Sequence, residues 1–245
     1  MTHKTKGIVL RAVKYGETSL VTTIYTELFG IQTYIVNSVR TSTRKGHGKA
    51  NLFQPASILD LVLYHNDMKN LQRLREFKWS FLYENLHFNV FKNAVALYVV
   101  ELLYKTIKQP ETNEPLYNFI EDAFIHLDKA DDAVVANFAL FFTLHMATFL
   151  GFGIQDNHSE TSRYLNFQDG QFTSEQPSHQ HFLDEPFSSV TSQLLRTRHP
   201  DELTQLRLHH ETRRYLLQSY LNFYAIHIQD FGGMKTLPVL QAVLG

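Results

Sequence analysis

The hydrophobic pattern changes its period once, near residue 80, and this change constrains the fold more than any other feature of the sequence. Before it, short runs rich in β-branched residues alternate with turn residues, whereas after it apolar residues recur every three to four positions. A period of two is typical of strands and a period near 3.6 of helices. We therefore predict an α+β chain with two domains, residues 1–80 in β-structure and residues 81–245 in helices.

The first domain holds five runs with strand character: KGIVLRAVKYG, SLVTTIYTELFG, IQTYIVNSVR, ASILDLVLYHN and NLQRLREFKWSF. Turn residues separate them at Gly16, at Gly30, in the Gly46–Gly48 loop and at Asn66–Asp67. Five short strands with such turns between them predict a small closed barrel.

The second domain is predicted as helices interrupted by one irregular insertion. Helical patterns cover residues 81–107, 116–130, 131–153, 187–196 and 201–229, and Pro115 suits a first helical turn. Residues 154–186 are polar and broken, with a candidate hairpin at Asp169–Gly170. The aromatic residues of this half are predicted to form its core.

Neither a membrane span nor a secretory signal is predicted. The longest apolar segment, Val134–Phe152, is interrupted by polar residues and is predicted to be a buried helix. The first residues, MTHKTKGIVLRAVKYGE, contain no apolar stretch of signal-peptide length. The chain has no cysteine, which fits a reducing compartment, so we expect a cytoplasmic protein.

Charge is divided unequally between the two domains. The whole chain has a net charge of -1, but residues 1–80 hold 12 basic and 5 acidic side chains, and residues 81–245 hold 11 basic and 19 acidic ones. A basic first domain in a nearly neutral protein indicates a polyanionic partner for that domain.

The most basic stretch is the loop RTSTRKGHGKANLF, from Arg40 to Phe53. Lysine and arginine neutralise phosphates and release counterions, so such a loop suits nucleic acid, although a solvated loop that only aids solubility would look the same. Flanking strands add further cations. The candidate DNA-binding residues are Arg11, Lys14, Arg40, Arg44, Lys45, Lys49, Arg73 and Arg75. Tyr15, Tyr34 and Phe53 are candidates to stack on unpaired bases.

Motifs for catalysis and for metal binding are weak or missing. There is no phosphate-binding glycine loop, no GxSxG and no HExxH, and His209 and His210 are adjacent and so point to different helix faces. The insertion contains four residues of types that bind metals, Asp156, His158, His179 and His181. Because structural zinc sites seldom lack cysteine, we favour the alternative that these histidines are solvated in a loop. We predict no catalytic residue, no metal and no cofactor.

Several segments together resemble the RecO family of bacterial recombination mediators. The segments are Gly7–Leu10 with its Gly-Ile-Val-Leu sequence, Tyr15–Ser19 with Tyr-Gly-Glu-x-Ser, Thr26–Gly30, and the strand that ends at Val39 and Arg40 before the basic loop. The C-terminal YLNFYAIHIQDFGGMKTLPVLQAVL is similar to the last helix and tail of that family. The resemblance covers essentially the whole chain.

The resemblance implies an N-terminal OB-fold followed by a helical domain. It implies binding of single- and double-stranded DNA, annealing of complementary strands, cooperation with RecR, and help for RecA in replacing single-stranded DNA-binding protein. Many family members carry a four-cysteine zinc module near the position of residues 154–186. Those cysteines are absent here, so no zinc is predicted, and whatever the module does in these relatives is done here by packing or not at all.

The resemblance also implies contact with the acidic, apolar-ended C-terminal tail of single-stranded DNA-binding protein. A receiving pocket needs apolar walls and one or two cations, and the candidates are Arg207, Arg213 and Arg214, near Tyr215 and Tyr220. The alternative is that these arginines pair with Glu202 or Glu211 along the helix.

Two other classes of function remain open. An RNA-binding OB-fold protein would share the barrel and its charge, and a strong preference for structured RNA would distinguish it. An enzyme would require a strongly perturbed titratable group in a cleft.

Overall fold

The computed structural model describes residues 2–40 and 48–244. Its contacts divide the chain into two compact units. The first comprises Met1–His87 with Val100–Ile125, and the second comprises Phe88–Val99 with His126–Gly245. The division at residue 80 remains a prediction about which segments fold on their own.

The first unit contains the predicted barrel. Its strands are β1 (Thr2–Tyr15), β2 (Ser19–Thr26), β3 (Gly30–Val36), β4 (Ile58–Tyr64) and β5 (Leu71–Trp79). They close in the order β1-β2-β3-β5-β4, with β3 and β5 parallel and the other pairs antiparallel. A closed five-stranded barrel of this kind is consistent with an OB-fold, so the predicted fold is confirmed.

Alternate side chains of these strands fill the barrel, where Val9, Ile24, Tyr34 and Leu61 are buried. A 3-10 helix, Lys49–Phe53, packs Phe53 onto the same core. This helix closes the end of the barrel at which β1 and β3 finish and β4 begins. The residues that connect it to β4, Ala56 and Ser57, form backbone hydrogen bonds with Val9 of β1. Barrel and 3-10 helix thus share one hydrophobic core.

Helix residues pack against the barrel within this unit. Glu121 pairs with Lys6 at 3.0 Å, and the Thr112 hydroxyl donates to the Leu28 carbonyl at 2.8 Å. Gly30, in the turn between β2 and β3, has φ +58 and lies so close to Glu111 that a Cβ would collide with its backbone. Glycine is therefore required at this turn for conformation and for space.

Six helices follow the barrel: α1 (Val90–Thr106), α2 (Glu114–Lys129), α3 (Asp132–Phe149), α4 (Phe187–Arg196), α5 (His210–His227) and α6 (Leu237–Leu244). The helix predicted from residue 81 begins only at Val90, where the Asn89 side chain accepts from the backbone N–H groups of Phe91 and Lys92. Pro115 lies in the first turn of α2, as predicted.

Helix α3 is the core of the second unit. Its Asp131 cap accepts from the Val134 backbone N–H at 2.9 Å, and both of the helix's ends lie within the predicted span. The helix is apolar and long enough to cross a membrane, but 67% of that stretch is buried inside the protein. The interpretation of Val134–Phe152 as a buried helix is confirmed.

The single helix predicted over residues 201–229 is wrong. The structure has a 3-10 helix, Pro200–Gln205, and α5 starts only at His210. Between them Leu206 is extended, and the buried Asn137 amide of α3 donates to the carbonyls of Leu203 and Leu206. The Leu203 carbonyl also accepts from the Leu206 backbone N–H at 3.1 Å, the last bond of the 3-10 helix, and the bond from Asn137 gives the Leu206 carbonyl a partner beyond that helix.

The insertion is more ordered than the sequence indicated. It holds a three-stranded sheet in the order β7-β6-β8, with β6 (Tyr164–Asn166), β7 (Gln171–Thr173) and β8 (Phe182–Leu183). The predicted hairpin at Asp169–Gly170 joins β6 and β7, and the sheet adds a small β-element to a domain predicted as helices alone.

Candidate nucleic-acid interface

The exterior of the barrel carries a row of paired side chains that crosses all five strands and so runs around the barrel. The cross-strand pairs Val13–Val21, Val21–Ile35, Ile35–Arg73 and Arg73–Tyr64 follow one another. Directly paired residues point to the same side of a sheet. These five side chains therefore form a continuous strip, of which Val13, Arg73 and Tyr64 are exposed.

A second row runs beside the first. It joins Arg11, Thr23, Thr33 and Leu71, again through direct cross-strand pairs. Arg11 and Leu71 are exposed. We call these two rows, together with exposed Tyr15 at the end of β1, the barrel wall. It combines arginines with exposed apolar and aromatic side chains, as surfaces that bind single-stranded nucleic acid do.

A second part of the barrel exterior, which we call the mixed wall, carries the charged residues Lys6, Asp60 and Lys78. There the register pairs Lys6 with Asp60 and Asp60 with Lys78. Lys78 lies 3.3 Å from the Asp60 carboxylate, and Lys6 lies 3.0 Å from Glu121. Cations of this wall are therefore matched by carboxylates, and the wall offers little net attraction to a polyanion.

Arg11 and Arg73 of the barrel wall, like Lys14 and Arg40 near the barrel end, have no such partner in the described part of the chain. Among residues 2–40 and 48–244, the ion pairs within 4.0 Å do not include Arg11, Lys14, Arg40 or Arg73. Their charge is not cancelled by a close carboxylate, so it remains available to phosphate groups.

The eight predicted DNA-binding residues do not form a single cluster. Arg11 and Arg73 lie on the barrel wall. Lys14 pairs with Leu20, whose side chain faces the core, so Lys14 extends from the other side of β1 at the barrel end. Arg75 is exposed but lies 3.3 Å from its neighbour Glu76, which partly offsets its charge.

Two further predicted cations lie at the barrel end where β1 finishes. The Arg40 guanidinium donates to the Gly16 carbonyl at 3.3 Å, in the turn between β1 and β2. Lys49 is exposed at the start of the 3-10 helix that closes this end. Arg44 and Lys45 lie outside the described residues.

The predicted stacking aromatics are largely wrong. Tyr34 and Phe53 are buried in the barrel core, and only Tyr15, which is 58% exposed, is available to a ligand. Tyr64, which is 44% exposed and pairs with Arg73, was missed. Its position at the end of an alternating strand next to a turn is the one sequence signal that indicated exposure.

The predicted partner-binding arginines lie near the C-terminal helix of the second unit. Arg213 donates to the carbonyls of Leu208 at 2.6 Å and of Leu244 at 3.3 Å, and Arg214 donates to Gln241 at 3.4 Å. Their guanidinium groups thus hold α6 to α5, and no pairing with Glu202 or Glu211 occurs among the described residues. Arg207 is exposed.

A narrow cleft of about 30 Å³ lies beside these arginines, between α3, α5 and α6. Its walls are apolar, from Ala139, Leu140, Leu217 and Leu240, and Arg213 and Arg214 lie at its rim. This combination of apolar walls and two cations is the one that an acidic peptide with apolar end residues requires, but an apolar side chain could enter only if α6 moved.

The candidate metal ligands of the insertion are engaged in other contacts. The Asp156 carboxylate accepts from Ser192 at 2.7 Å and from Arg196 at 2.6 Å. Burial disfavours the charged form of Asp156, but these hydrogen bonds outweigh it and hold its pKa below the ordinary value. His158 lies 2.8 Å from Glu185. In the described part of the chain, no group of three or more His, Cys, Asp or Glu side chains is placed to hold a metal.

Titratable groups with strongly shifted pKa values lie in packed interiors. Burial raises the pKa of Tyr25 to about 12 and raises that of Tyr220 further. Burial lowers the pKa of His145, although its ring contacts the Leu194 carbonyl oxygen at 3.3 Å. These shifts follow from core packing and indicate no acid–base pair.

Known proteins resemble the chain along nearly its whole length. Residues 1–83 match the family model for the recombination protein O N-terminal domain, and residues 87–235 match the model for its C-terminal domain. The chain belongs to the RecO family. Among curated RecO proteins it is 33% identical to that of Christiangramia forsetii, and the alignment covers 98% of each chain.

Two further relatives give the same result. The chain is 31% identical to the DNA repair protein RecO of Flavobacterium johnsoniae and 30% identical to that of Bacteroides fragilis, each over 98% of both chains. Membership of the RecO family supports a role in DNA repair and recombination, and the net positive charge of residues 1–80 is consistent with it. The resemblance inferred from the sequence motifs is confirmed.

Proposed function

We propose that this protein binds single- and double-stranded DNA and anneals complementary strands, and that it does so in the cytoplasm. The barrel wall carries the proposal, because unpaired Arg11 and Arg73 lie there beside exposed Tyr15 and Tyr64. The cations bind sugar-phosphate chains, and the aromatic rings stack on bases. The predicted cations outside the wall, Lys14, Arg40, Lys49 and Arg75, are proposed to bind phosphates as well, and so are Arg44 and Lys45 of the basic loop, which lie outside the described residues.

Annealing requires no catalytic group. Two polyanions must approach while their bases stay free to pair, and a cationic surface reduces the repulsion between them. The protein therefore acts by binding alone, without a cofactor. RecR is the expected partner of this protein. The expected result of its activity is that RecA loads onto DNA previously coated by single-stranded DNA-binding protein.

An annealing assay tests this function directly. With two complementary oligonucleotides, the protein is expected to raise the rate of duplex formation, both for bare strands and for strands coated with single-stranded DNA-binding protein. Duplex formation is followed by fluorescence energy transfer between labelled ends. A rate unchanged by the protein, or tighter binding to structured RNA than to single-stranded DNA, would contradict the proposal and favour an RNA-binding function.

The second unit is proposed to bind the acidic tail of single-stranded DNA-binding protein at the cleft beside α6. An acidic tail offers carboxylates to Arg213 and Arg214, which now donate to neutral carbonyls, and charge-assisted bonds are the stronger kind. The apolar end of the tail then enters between α3 and α6 as that helix shifts. Arg207 adds a further cation nearby.

Replacing both Arg213 and Arg214 by alanine is expected to weaken binding of a tail peptide by about tenfold or more, since a hydrogen bond to a charged group contributes about 1.5–3 kcal/mol. Fluorescence anisotropy of a labelled peptide measures the affinity. The matched control replaces exposed Arg163 and Arg198, which removes the same charge from the same unit. If the two double variants bind the tail peptide with equal affinity, Arg213 and Arg214 hold α6 in place but do not bind the tail.

A further inference from the structure

A groove of about 570 Å³ adjoins the barrel wall within the first unit. It lies between the β2–β3 side of the barrel, the turn that joins β4 to β5, and the segment of residues 104–112. Its volume is in the range of about 300–1,000 Å³ that is typical of small-molecule sites. The side chains that matter here are Thr23, Gln32, Thr33, Asn70, Tyr104 and Lys108.

Tyr104 forms one side of this groove and is flanked by two cations. The Arg11 guanidinium carbon lies 5.9 Å from the centroid of the Tyr104 ring, and the Lys108 Nζ lies 5.8 Å from it. Arg11 also donates to the Tyr104 hydroxyl at 3.4 Å. The ring is therefore positioned by contacts at its face and at its hydroxyl, with positive charge around it.

The rest of the groove combines apolar side chains, such as Phe29, Ile31 and Ile107, with polar ones, and it carries net positive charge. Thr23 and Thr33, a direct cross-strand pair, offer hydroxyl groups, and Gln32 and Asn70 offer amides that both donate and accept hydrogen bonds. Lys69 and Lys108 supply two cations. Its one lining carboxylate among the described residues, Asp67, already lies 2.7 Å from His65.

The turn that forms one edge of the groove is held by a buried side chain. The Gln72 amide donates to the carbonyls of Asn66 at 2.8 Å and Lys69 at 2.6 Å, and its oxygen accepts from the Asn66 backbone N–H at 3.0 Å. Three hydrogen bonds from one buried amide fix the turn, so Lys69 and Asn70 start from a defined backbone. A preformed site of this kind loses less entropy when a ligand binds.

We propose that the groove receives one unpaired nucleotide of a single DNA strand that lies on the barrel wall. The inference rests on the proposed DNA-binding function, because Arg11 of the wall contacts Tyr104 of the groove, and Thr23 and Thr33 of the wall's second row line the groove. The base packs against the Tyr104 ring, the amides contact the base edge, and Lys69 and Lys108 bind the flanking phosphates.

The groove consequently distinguishes single strands from duplex. A base can enter only after it leaves the stack, which in a duplex also requires breaking its pair and costs free energy that an unpaired strand does not spend. A strand held with one base turned away from its neighbours keeps the adjacent bases accessible, and this suits a protein that presents strands for pairing.

Abasic DNA separates base binding from phosphate binding. Wild-type protein is expected to bind a thymidine oligonucleotide more tightly than an abasic chain of equal length and phosphate number. The change Tyr104→Leu is expected to lower the ratio of the two affinities by about tenfold, the equivalent of one stacked base at ~1.4 kcal/mol, while the salt dependence of binding stays unchanged. Thr33→Phe, which fills the groove from a strand position that favours aromatic residues, is expected to do the same.

The matched control is Tyr215→Leu, the same change at an exposed tyrosine of the second unit, and it is expected to keep the wild-type ratio. If both groove variants keep the wild-type ratio, bases do not occupy the groove. The same conclusion follows if Thr33→Phe keeps the ratio and only Tyr104→Leu loses it. In either case the inference fails, but DNA binding by the barrel wall is unaffected. If wild-type protein shows no salt-dependent binding to either oligonucleotide, the proposed function itself fails.

Discussion

Replacing both Arg11 and Arg73 by alanine is expected to reduce the salt dependence of DNA binding by about two phosphates. On single strands, the slope of log affinity against log salt should become shallower by about 1.4, and on duplex by about 1.8. The reason is that each arginine has no carboxylate partner among the described residues and stands on the exposed barrel wall. Affinity titrations at four or more salt concentrations measure the slope.

The control for this variant is a second pair of cations on the same barrel. Lys6 lies 3.0 Å from Glu121 and Lys78 lies 3.3 Å from Asp60, so carboxylates offset both charges, and replacing both lysines by alanine changes the net charge by the same amount. This control is expected to retain the wild-type slope. Equal losses for the two double variants would mean that overall charge, rather than the barrel wall, determines binding.

The barrel could be predicted because its sequence signal is local. Strand alternation and glycine-marked turns lie within each 10-residue stretch, and the strand pairing then follows from closing five such strands. The helical boundaries depended on distant residues instead. Asn137 of α3 ends the 3-10 helix near Leu206, and nothing within residues 201–229 signals that interaction.

The site was predicted less completely than the fold, because exposure depends on which face of each strand is turned inward. In β3, Ile31 and Ile35 alternate with Tyr34 and Val36, so both faces contain apolar residues. The sequence therefore does not indicate that Tyr34 is the buried one. In β1, a bulge between Val9 and Arg11 shifts the phase and places Arg11, rather than Ala12, on the outer face.

Packing and hydrogen bonds hold the cysteine-free insertion of the second unit. Phe167 of the insertion contacts the buried Phe223 ring with centroids 5.4 Å apart, and its carbonyl oxygen lies 2.9 Å from the His227 ring Nε2. The Phe152 ring stacks on that same His227 ring at 5.1 Å. With Asp156 bound to Ser192 and Arg196, these contacts attach the start and the middle of the insertion to helices α4 and α5.

The change Phe167→Ala is expected to lower the free energy of unfolding by about 3–5 kcal/mol, the usual cost of removing a buried phenylalanine ring. Phe167 is 3% exposed, so its loss leaves a cavity beside Phe223. Urea unfolding followed by circular dichroism at the helical minimum measures the change. A control, Phe88→Ala, removes the same ring from a position that is 81% exposed and is expected to cost less than about 0.5 kcal/mol.

A metal chelator provides the second arm of this experiment. Because packing and hydrogen bonds hold the insertion, excess chelator is expected to leave the wild-type urea midpoint unchanged. A Phe167→Ala protein within about 1 kcal/mol of wild type would show that the ring is not what holds the insertion, since a buried ring costs more than this when removed. If the chelator lowers the urea midpoint, the protein contains a structural metal bound without cysteine. This result would contradict the expectation that packing, and not a metal, holds the insertion.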